Sequence, residues 1–307
     1  MKPRLELAEA LRLLLSSSTR LHLDEPMARR TTLKVGGPAD FFVEPADENE
    51  LSRVLKWSSD EQVPVMVLGR GSNLLVRDGG IRGLVISLSQ PEFSRIEFLA
   101  GEVRCGAGAR LKNVAVEAKR AGVTGLEFLE GIPGSVGGAL RMNAGAMGGW
   151  TFDLVKSVHC LTLSGDAVDV LPASMGVSYR HCKLLESHIA VAAVLNGSPG
   201  DRAAIELKMK ESSRKRWSSQ PAAPSAGCIF KNPATIPSGR LIDEMGLKGT
   251  RLGGASISDV HGNFIVNDGG ARAVDVLGLI SMVKARALAE RDIMLETEVQ
   301  IVGEDNL

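Results

Sequence analysis

Several things are scarce in this sequence. Neither charge is in excess: 36 Lys and Arg face 36 Asp and Glu, for a formal net charge of zero. The global basic footprint of a nucleic-acid or anionic-membrane binder is therefore missing, and we expect neither as a partner. Cysteine is sparse. Cys105, Cys160, Cys182 and Cys228 lie far apart with no CxxC pair, which argues against a disulfide framework and against a structural zinc site. Reduced thiols and a cytoplasmic location are the expectation. Long apolar runs are absent too. Stretches such as Ile189 to Leu195 fall far short of the roughly 20 residues that span a bilayer. At the amino terminus Arg4, Glu6, Glu9 and Arg12 surround a leucine cluster, which reads as an amphipathic helix and not as a signal peptide. Aromatic residues make up only 4%, with Tyr179 the single tyrosine.

What is present suits an ordinary globule. The 307 residues are 44% hydrophobic, enough for a sizeable core and, at roughly 150 residues per domain, for about two domains. Helices are expected over Leu5 to Leu15, Asp47 to Trp57, Leu111 to Ala118 with Gly122 as its cap, Arg202 to Lys215, Gly239 to Met245 and Ala273 to Ala287. Strands are expected at Val63 to Leu68, Leu74 to Arg77, Leu84 to Leu88, Ile189 to Leu195, Cys228 to Phe230, Asn263 to Val266 and Met294 to Val302. Two hairpins turn at Ala100-Gly101 and at Ser164-Gly165-Asp166. Thr31 to Val43 reads as extended, interrupted at Gly36-Gly37-Pro38. Helices and strands mix without a regular βαβ repeat, so the fold class is α+β. A boundary is expected between Asn196 and Gln220, where Ser218 to Pro224 has linker composition.

Glycine is the residue in surplus, with 34 copies gathered into clusters. Gly69-Arg70-Gly71-Ser72-Asn73 lies between two strands. It is not the dinucleotide fingerprint, because Leu74 stands where a third glycine would open a helix. Its backbone N–H groups can still turn inward on an anion, with Ser72 and Asn73 adding side-chain hydrogen bonds. A pair of tight turns between strands accounts for it equally well. Gly131 to Ala139 packs four further glycines, Gly131, Gly134, Gly137 and Gly138, into a short stretch. That is costly in conformational entropy and marks a close approach of backbone to a ligand or to other backbone. Asn143 follows with an amide able to read a heterocycle or a ribose. Two such loops suit a long ligand with phosphates in its middle.

In order along the chain, Thr31 to Ala39, Gly69 to Leu74, Gly131 to Gly145, Tyr179-Arg180, Ala226 to Pro233, Gly246-Leu247-Lys248-Gly249 and Leu295 to Val299 resemble the signatures of the flavin-dependent UDP-N-acetylenolpyruvoylglucosamine reductases of peptidoglycan precursor synthesis. The resemblance covers nearly everything from Thr31 to Gly303. It implies an FAD-binding α+β domain of the vanillyl-alcohol-oxidase/PCMH type plus a smaller carboxy-terminal substrate domain. The segments so implied are 1–88 and 89–200 as two FAD-binding subdomains and 210–303 as the substrate domain, with strand 293–307 a candidate to return to the first. Tyr179 being the only tyrosine, no second tyrosine can sit on a substrate-capping loop, and the chain resembles the shorter class of the family.

The implied reaction has two halves: NADPH reduces bound FAD, and the flavin then gives a hydride to an enolpyruvyl UDP-sugar. Carried over by motif, Gly69, Gly71, Ser72, Asn73, Gly134, Ser135, Gly137, Gly138 and Asn143 hold the cofactor. Arg180 meets the substrate carboxylate, where negative charge develops; a surface salt bridge is its alternative role. Glu298 lies beside the enolate in what reads as an alternating strand, with Glu296 on the same face two residues away. A carboxyl facing another carboxylate in a shielded cleft has its pKa raised and can donate a hydrogen bond. Cys228 stands where most of the family has a serine that protonates carbon. A thiol, with an ordinary pKa of about 8.5, is mainly protonated at neutral pH and can serve as the acid, although nearby Arg180 and Lys231 would favour a thiolate. A small buried cysteine without a role is the other reading. For the diphosphate, Asn232, Lys248 and one of Arg214 and Arg216 are expected, with His261 as a weaker member. No metal and no obligate protein partner is implied. Two other functions remain open at this point: another FAD-dependent sugar or alcohol oxidoreductase of the same fold, and a non-catalytic flavin-binding module.

Overall fold

The computed structural model describes residues 2–99 and 101–305. Ala100 of the first expected hairpin turn, and residues 306 and 307 of the expected carboxy-terminal segment, lie outside them. The chain closes into two compact units. One comprises Met1–Leu23, Asp40–Gly69 and Gly83–Lys215; the other comprises Asp24–Ala39, Arg70–Arg82 and Arg216–Leu307.

In the first unit, helices α1 (Arg4–Leu14) and α2 (Glu48–Asp60) bury Leu7, Ala8, Leu11, Leu51, Val54 and Leu55 on their inner faces. Asp47 caps α2, its carboxylate accepting the Glu50 N–H at 2.8 Å. The helices accompany a four-stranded sheet in the order Arg20–Pro26, Pro38–Glu44, Ile81–Ser87, Val65–Leu68, whose last pair is parallel. A five-stranded antiparallel sheet runs Ala167–Val170, Val155–Thr162, His188–Asn196, Glu102–Gly106, Ile96–Leu99. It contains both expected hairpins. Helix α3 (Leu111–Ala121) buries Leu111, Val114, Ala115 and Ala118 and ends on Gly122, whose φ of +68° is the left-handed cap that glycine adopts without strain. Three more helices follow: α4 (Val136–Arg141), α5 (Thr151–Leu154) and α6 (Arg202–Ser219). One continuous core joins the two sheets and their helices, from Leu7 through Phe93 and Val158 to Met209.

The second unit has its own core, in which Leu33, Val35 and Leu75 pack with Phe230, Ile242, Ile265, Leu279 and Val299. Its sheet is antiparallel, in the order Ser225–Cys228, Phe264–Asn267, Ala255–Ile257, Arg251–Leu252. Helices α7 (Ser238–Glu244) and α8 (Ala273–Arg291) pack on each other, and α8 packs on the strand Ala255–Ile257. The first turn of α8 is capped from a distant stretch of chain: Asp78 accepts the N–H groups of Ala273 and Val274 at 2.9 and 3.0 Å. Strand Gln300–Val302 pairs in parallel with Leu74–Val76.

Two findings depart from the expectations. The units are not consecutive segments, because the apolar residues of Asp24–Ala39 and Arg70–Arg82 are buried in the core of the carboxy-terminal residues. The final strand is also shorter than Met294 to Val302. Only Gln300–Val302 is regular. The N–H groups of Glu298 and Val299 both point to the Ile229 carbonyl, at 2.8 and 3.3 Å, which interrupts the alternation a ladder requires. The period-two argument that paired Glu296 with Glu298 therefore does not apply.

Candidate active site

In the first unit Gly69 lies against the second glycine loop. Gly69 leaves the strand Val65–Leu68, and a Cβ built on it would lie 2.9 Å from Ser135 Oγ and 3.9 Å from Gly138 Cα. Ser135 is buried and caps α4, its hydroxyl accepting the Gly138 N–H at 3.4 Å. Gly69 and Gly138 are both exposed. The result is a strip of surface backbone bare of side chains, which a diphosphate can approach closely. Gly69 and Gly138 thus fit the diphosphate of FAD, with Ser135 buried beside them as the cap of α4. Gly137 has a different cause: its N–H donates to the Ala107 carbonyl at 2.8 Å, and a Cβ would sit 3.1 Å from that of Ala107. Its closeness serves the packing of α4 against protein.

Asn143 is also committed within the unit. Its Nδ2 donates to the Ser178 carbonyl at 3.3 Å, and its Oδ1 accepts the Phe152 N–H at 3.2 Å. Ser178 opens the turn of the small hairpin Val177–Ser178/His181–Cys182. Arg141, at the end of α4, grips the other side, donating to the Cys182 carbonyl at 3.1 Å. Between these ties stand Tyr179 and Arg180. Arg180 takes φ +56°, a left-handed conformation uncommon for a non-glycine residue. Its guanidinium lies 5.3 Å from the Tyr179 ring centroid and 5.4 Å from that of Trp150. The residue is half-buried.

The second unit gathers another set. Glu298 N–H donates to the carbonyl of Ile229, the residue after Cys228, and Lys231 N–H donates to the Glu296 carbonyl at 2.9 Å. Phe230 and Thr297 form a β-bridge. Cys228 and Glu298 are thus laced into adjacent backbone, both half-buried. Asn73 joins them: its Nδ2 donates to the Glu298 carbonyl at 3.2 Å, and its own carbonyl accepts Gln300 N–H at 3.1 Å. A Cβ on Gly227 would lie 3.6 Å from the Ser72 carbonyl. Gly71 is held by Thr32, whose N–H donates to the Gly71 carbonyl at 3.1 Å while its hydroxyl donates to the Ser225 carbonyl at 2.6 Å. Glu296 does not compete for the position of Glu298; it is largely exposed and pairs with Lys231 at 3.0 Å.

Of the residues expected at a diphosphate, three share one face of the second unit. Asn232 Oδ1 accepts Ser238 N–H at 3.0 Å. The His261 ring lies against Gly239, where a Cβ would be 2.6 Å from its Cε1. Burial first, and then the Lys248 ammonium, lower the His261 pKa, so the ring is neutral at pH 7, its Nδ1 accepting Asn263 N–H at 3.1 Å. Lys248 pairs with Asp243 at 2.8 Å. Arg216 stacks on Trp217 at 5.4 Å and reaches Gln220, while Arg214 is exposed on α6. A cavity of about 500 Å³ in the first unit, lined by residues including Asp47, Glu48, Arg95, Arg104 and His159, contains none of the residues singled out from the sequence. Sequence reasoning missed Trp150 and Arg141. A tryptophan beside a glycine loop in a chain with three of them was the available signal.

Residues 39–171 match the FAD binding domain family, which places this α+β unit with its exposed glycine backbone in the class of flavin-binding proteins. Residues 220–302 match the carboxy-terminal domain of UDP-N-acetylenolpyruvoylglucosamine reductase. The chain is 43% identical over 299 residues to UDP-N-acetylenolpyruvoylglucosamine reductase 2 of Symbiobacterium thermophilum, covering 97% of each. It is 45% identical to the reductase of Geotalea uraniireducens over 96% of this chain and 98% of that one. Among solved structures it resembles the Thermus caldophilus enzyme, with a TM-score of 0.80 and 41% identity over 92% of this chain and 98% of that one. The chain belongs to the UDP-N-acetylenolpyruvoylglucosamine reductase family.

Proposed function

We propose that this chain reduces the enolpyruvyl group of UDP-N-acetylglucosamine enolpyruvate to the lactyl ether of UDP-N-acetylmuramate, with bound FAD and with NADPH as the electron source. The relationship to reductases over 97% of the chain carries this reading. FAD, when bound, supplies hydride transfer from the nicotinamide to the alkene. The chain's own residues do the rest. Arg180, always charged, holds the substrate carboxylate, into which electrons move as the alkene accepts hydride. The Cys228 thiol protonates the neighbouring carbon, and Glu298, laced beside it, holds the enolate-like oxygen through a hydrogen bond. Asn232, Lys248 and His261 offer donors on one face for the diphosphate, with Arg214 and Arg216 assigned to the same task by motif alone. The enzyme works in the cytoplasm, needing no nucleic acid, membrane or obligate protein partner. Among the described residues, no helix is long and apolar enough to cross a membrane.

The test is anaerobic. NADPH should bleach the yellow absorbance, and the enolpyruvyl substrate should restore it. Cys228→Ala should bleach normally yet recover at least about a hundredfold more slowly, as expected for loss of a general acid, while Cys228→Ser should recover measurably. Normal recovery in the alanine variant would remove Cys228 from the mechanism. Failure of the substrate to restore the wild-type absorbance would remove the function.

A further inference from the structure

Trp150 has no part in the proposed chemistry, yet its surroundings fix it firmly. It ends the two-stranded pair Gly145–Ala146/Gly149–Trp150. Its N–H donates to Asp153 Oδ2 at 2.9 Å. Its ring lies over Gly145, where a Cβ would come within 2.5 Å of Cε3; no other residue type fits beneath it. The ring meets Tyr179 edge-on, with centroids 5.7 Å apart and planes at 79°. The guanidinium of Arg180 is within 5.4 Å of both ring centroids.

A guanidinium on a flexible stem loses rotamer entropy whenever it is used, and aromatic faces reduce that loss by holding the cation in place beforehand. We propose that Trp150 is a positioning residue for Arg180: with Tyr179 it forms an aromatic clamp that presets the guanidinium for the carboxylate of the substrate. This rests on the reading of Arg180 given above. It adds a specificity element, since the clamp acts only on ligands that carry the carboxylate.

The test compares two ligands on the FAD-loaded enzyme by calorimetry: UDP-N-acetylmuramate, which carries the carboxylate, and UDP-N-acetylglucosamine, which does not. Trp150→Leu should weaken binding of the first by roughly five- to thirtyfold, the range of a partly desolvated cation–π contact, and leave the second within about twofold. Trp150→Phe should restore most of the loss. Absorbance recovery after NADPH bleaching should slow in Trp150→Leu, while the bleaching itself is unchanged. A double-mutant cycle with Arg180→Lys should be non-additive. Equal loss for both ligands, or additive effects, would overturn the clamp. If Arg180→Lys alone bound UDP-N-acetylmuramate and recovered as fast as wild type, the role of Arg180 itself would fall, a result distinguishable from failure of Trp150 alone.

Discussion

Replacing Asn143 by aspartate separates two accounts of that residue. The motif places its amide on the cofactor; the structure gives Nδ2 to the Ser178 carbonyl and Oδ1 to the Phe152 N–H, at 3.3 and 3.2 Å. Aspartate keeps the second bond and converts the first into a carboxylate oxygen facing a carbonyl oxygen. A lost neutral hydrogen bond contributes about 1 kcal/mol, and an acceptor left facing an acceptor adds a similar amount. Ser178 is exposed, so water relieves part of the repulsion. The sum is about 1–2 kcal/mol, spent on the turn that holds Arg180 at its left-handed φ. The expected result is therefore a five- to thirtyfold slower absorbance recovery by substrate, since 1.4 kcal/mol is about a factor of ten. Flavin retention through gel filtration and the rate of bleaching by NADPH should stay near wild type. A variant that loses FAD yet recovers normally once FAD is added in excess would refute the structural account and return Asn143 to the cofactor.

Glu50 is only 1% exposed and accepts the N–H groups of Ser16 at 2.5 Å and Ala46 at 2.6 Å, along with the Thr19 hydroxyl. Burial pushes its pKa up, but these donors outweigh burial and the net shift is downward. Its stabilisation is then present above the ordinary value near 4.5 and lost as pH falls through the lowered one. Glu50→Gln, which turns an NH2 towards donors, should cost about 2–3 kcal/mol in denaturant titration at pH 7 and flatten the acid limb of the stability profile. An unchanged midpoint would contradict this. His159 joins Glu48 on α2 to Asp169 on the sheet, each at 2.8 Å. Burial lowers its pKa, but the two carboxylates outweigh that and raise it. The clamp is complete below the ordinary value of 6.5 and fades as pH rises through the raised one. Because Asp169 is largely exposed, His159→Gln should cost under about 1 kcal/mol at pH 6 and less at pH 9; a cost that grew with pH would reverse the assignment.

Local features were legible in the sequence wherever one residue determines them. Gly122 stops α3, Asp47 starts α2, and the antiparallel hairpins follow from alternation around short turns. What could not be read is what depends on partners distant in the chain. The residues of Asp24–Ala39 have no local pattern that assigns them to the carboxy-terminal unit; Leu33 and Val35 are apolar in either setting and are placed only by the core they meet. The Asp78 cap of α8 spans nearly two hundred positions and leaves no trace in spacing. At the site, the types and positions of Arg180, Cys228 and Glu298 were visible. The protein bonds of the Asn143 amide and the place of the Trp150 ring were not visible, because a side chain's neighbours across the fold are not written in its local sequence.

The way the second unit holds Cys228 bears on why a thiol can occupy that position. Main-chain contacts locate its backbone: the register of Cys228 with Phe264, the Ile229 N–H to the Asn263 carbonyl at 2.9 Å, and the Ile229 carbonyl shared by Glu298 and Val299. Asn263 reinforces the same strand, accepting Phe230 N–H and donating to the Phe230 carbonyl, both at 2.8 Å. Changing the side chain at 228 leaves these bonds intact, so sulfur and oxygen are presented from the same backbone position and differ in acidity and reach, not in placement. The consequence can be measured. Cys228→Ser, a near-isosteric change that keeps these main-chain bonds, should shift the midpoint of thermal unfolding by only a degree or two, while Asn263→Ala, which frees both main-chain groups of buried Phe230, should lower it by several degrees. If the two shifts were equal, the backbone lacing would not be what locates Cys228.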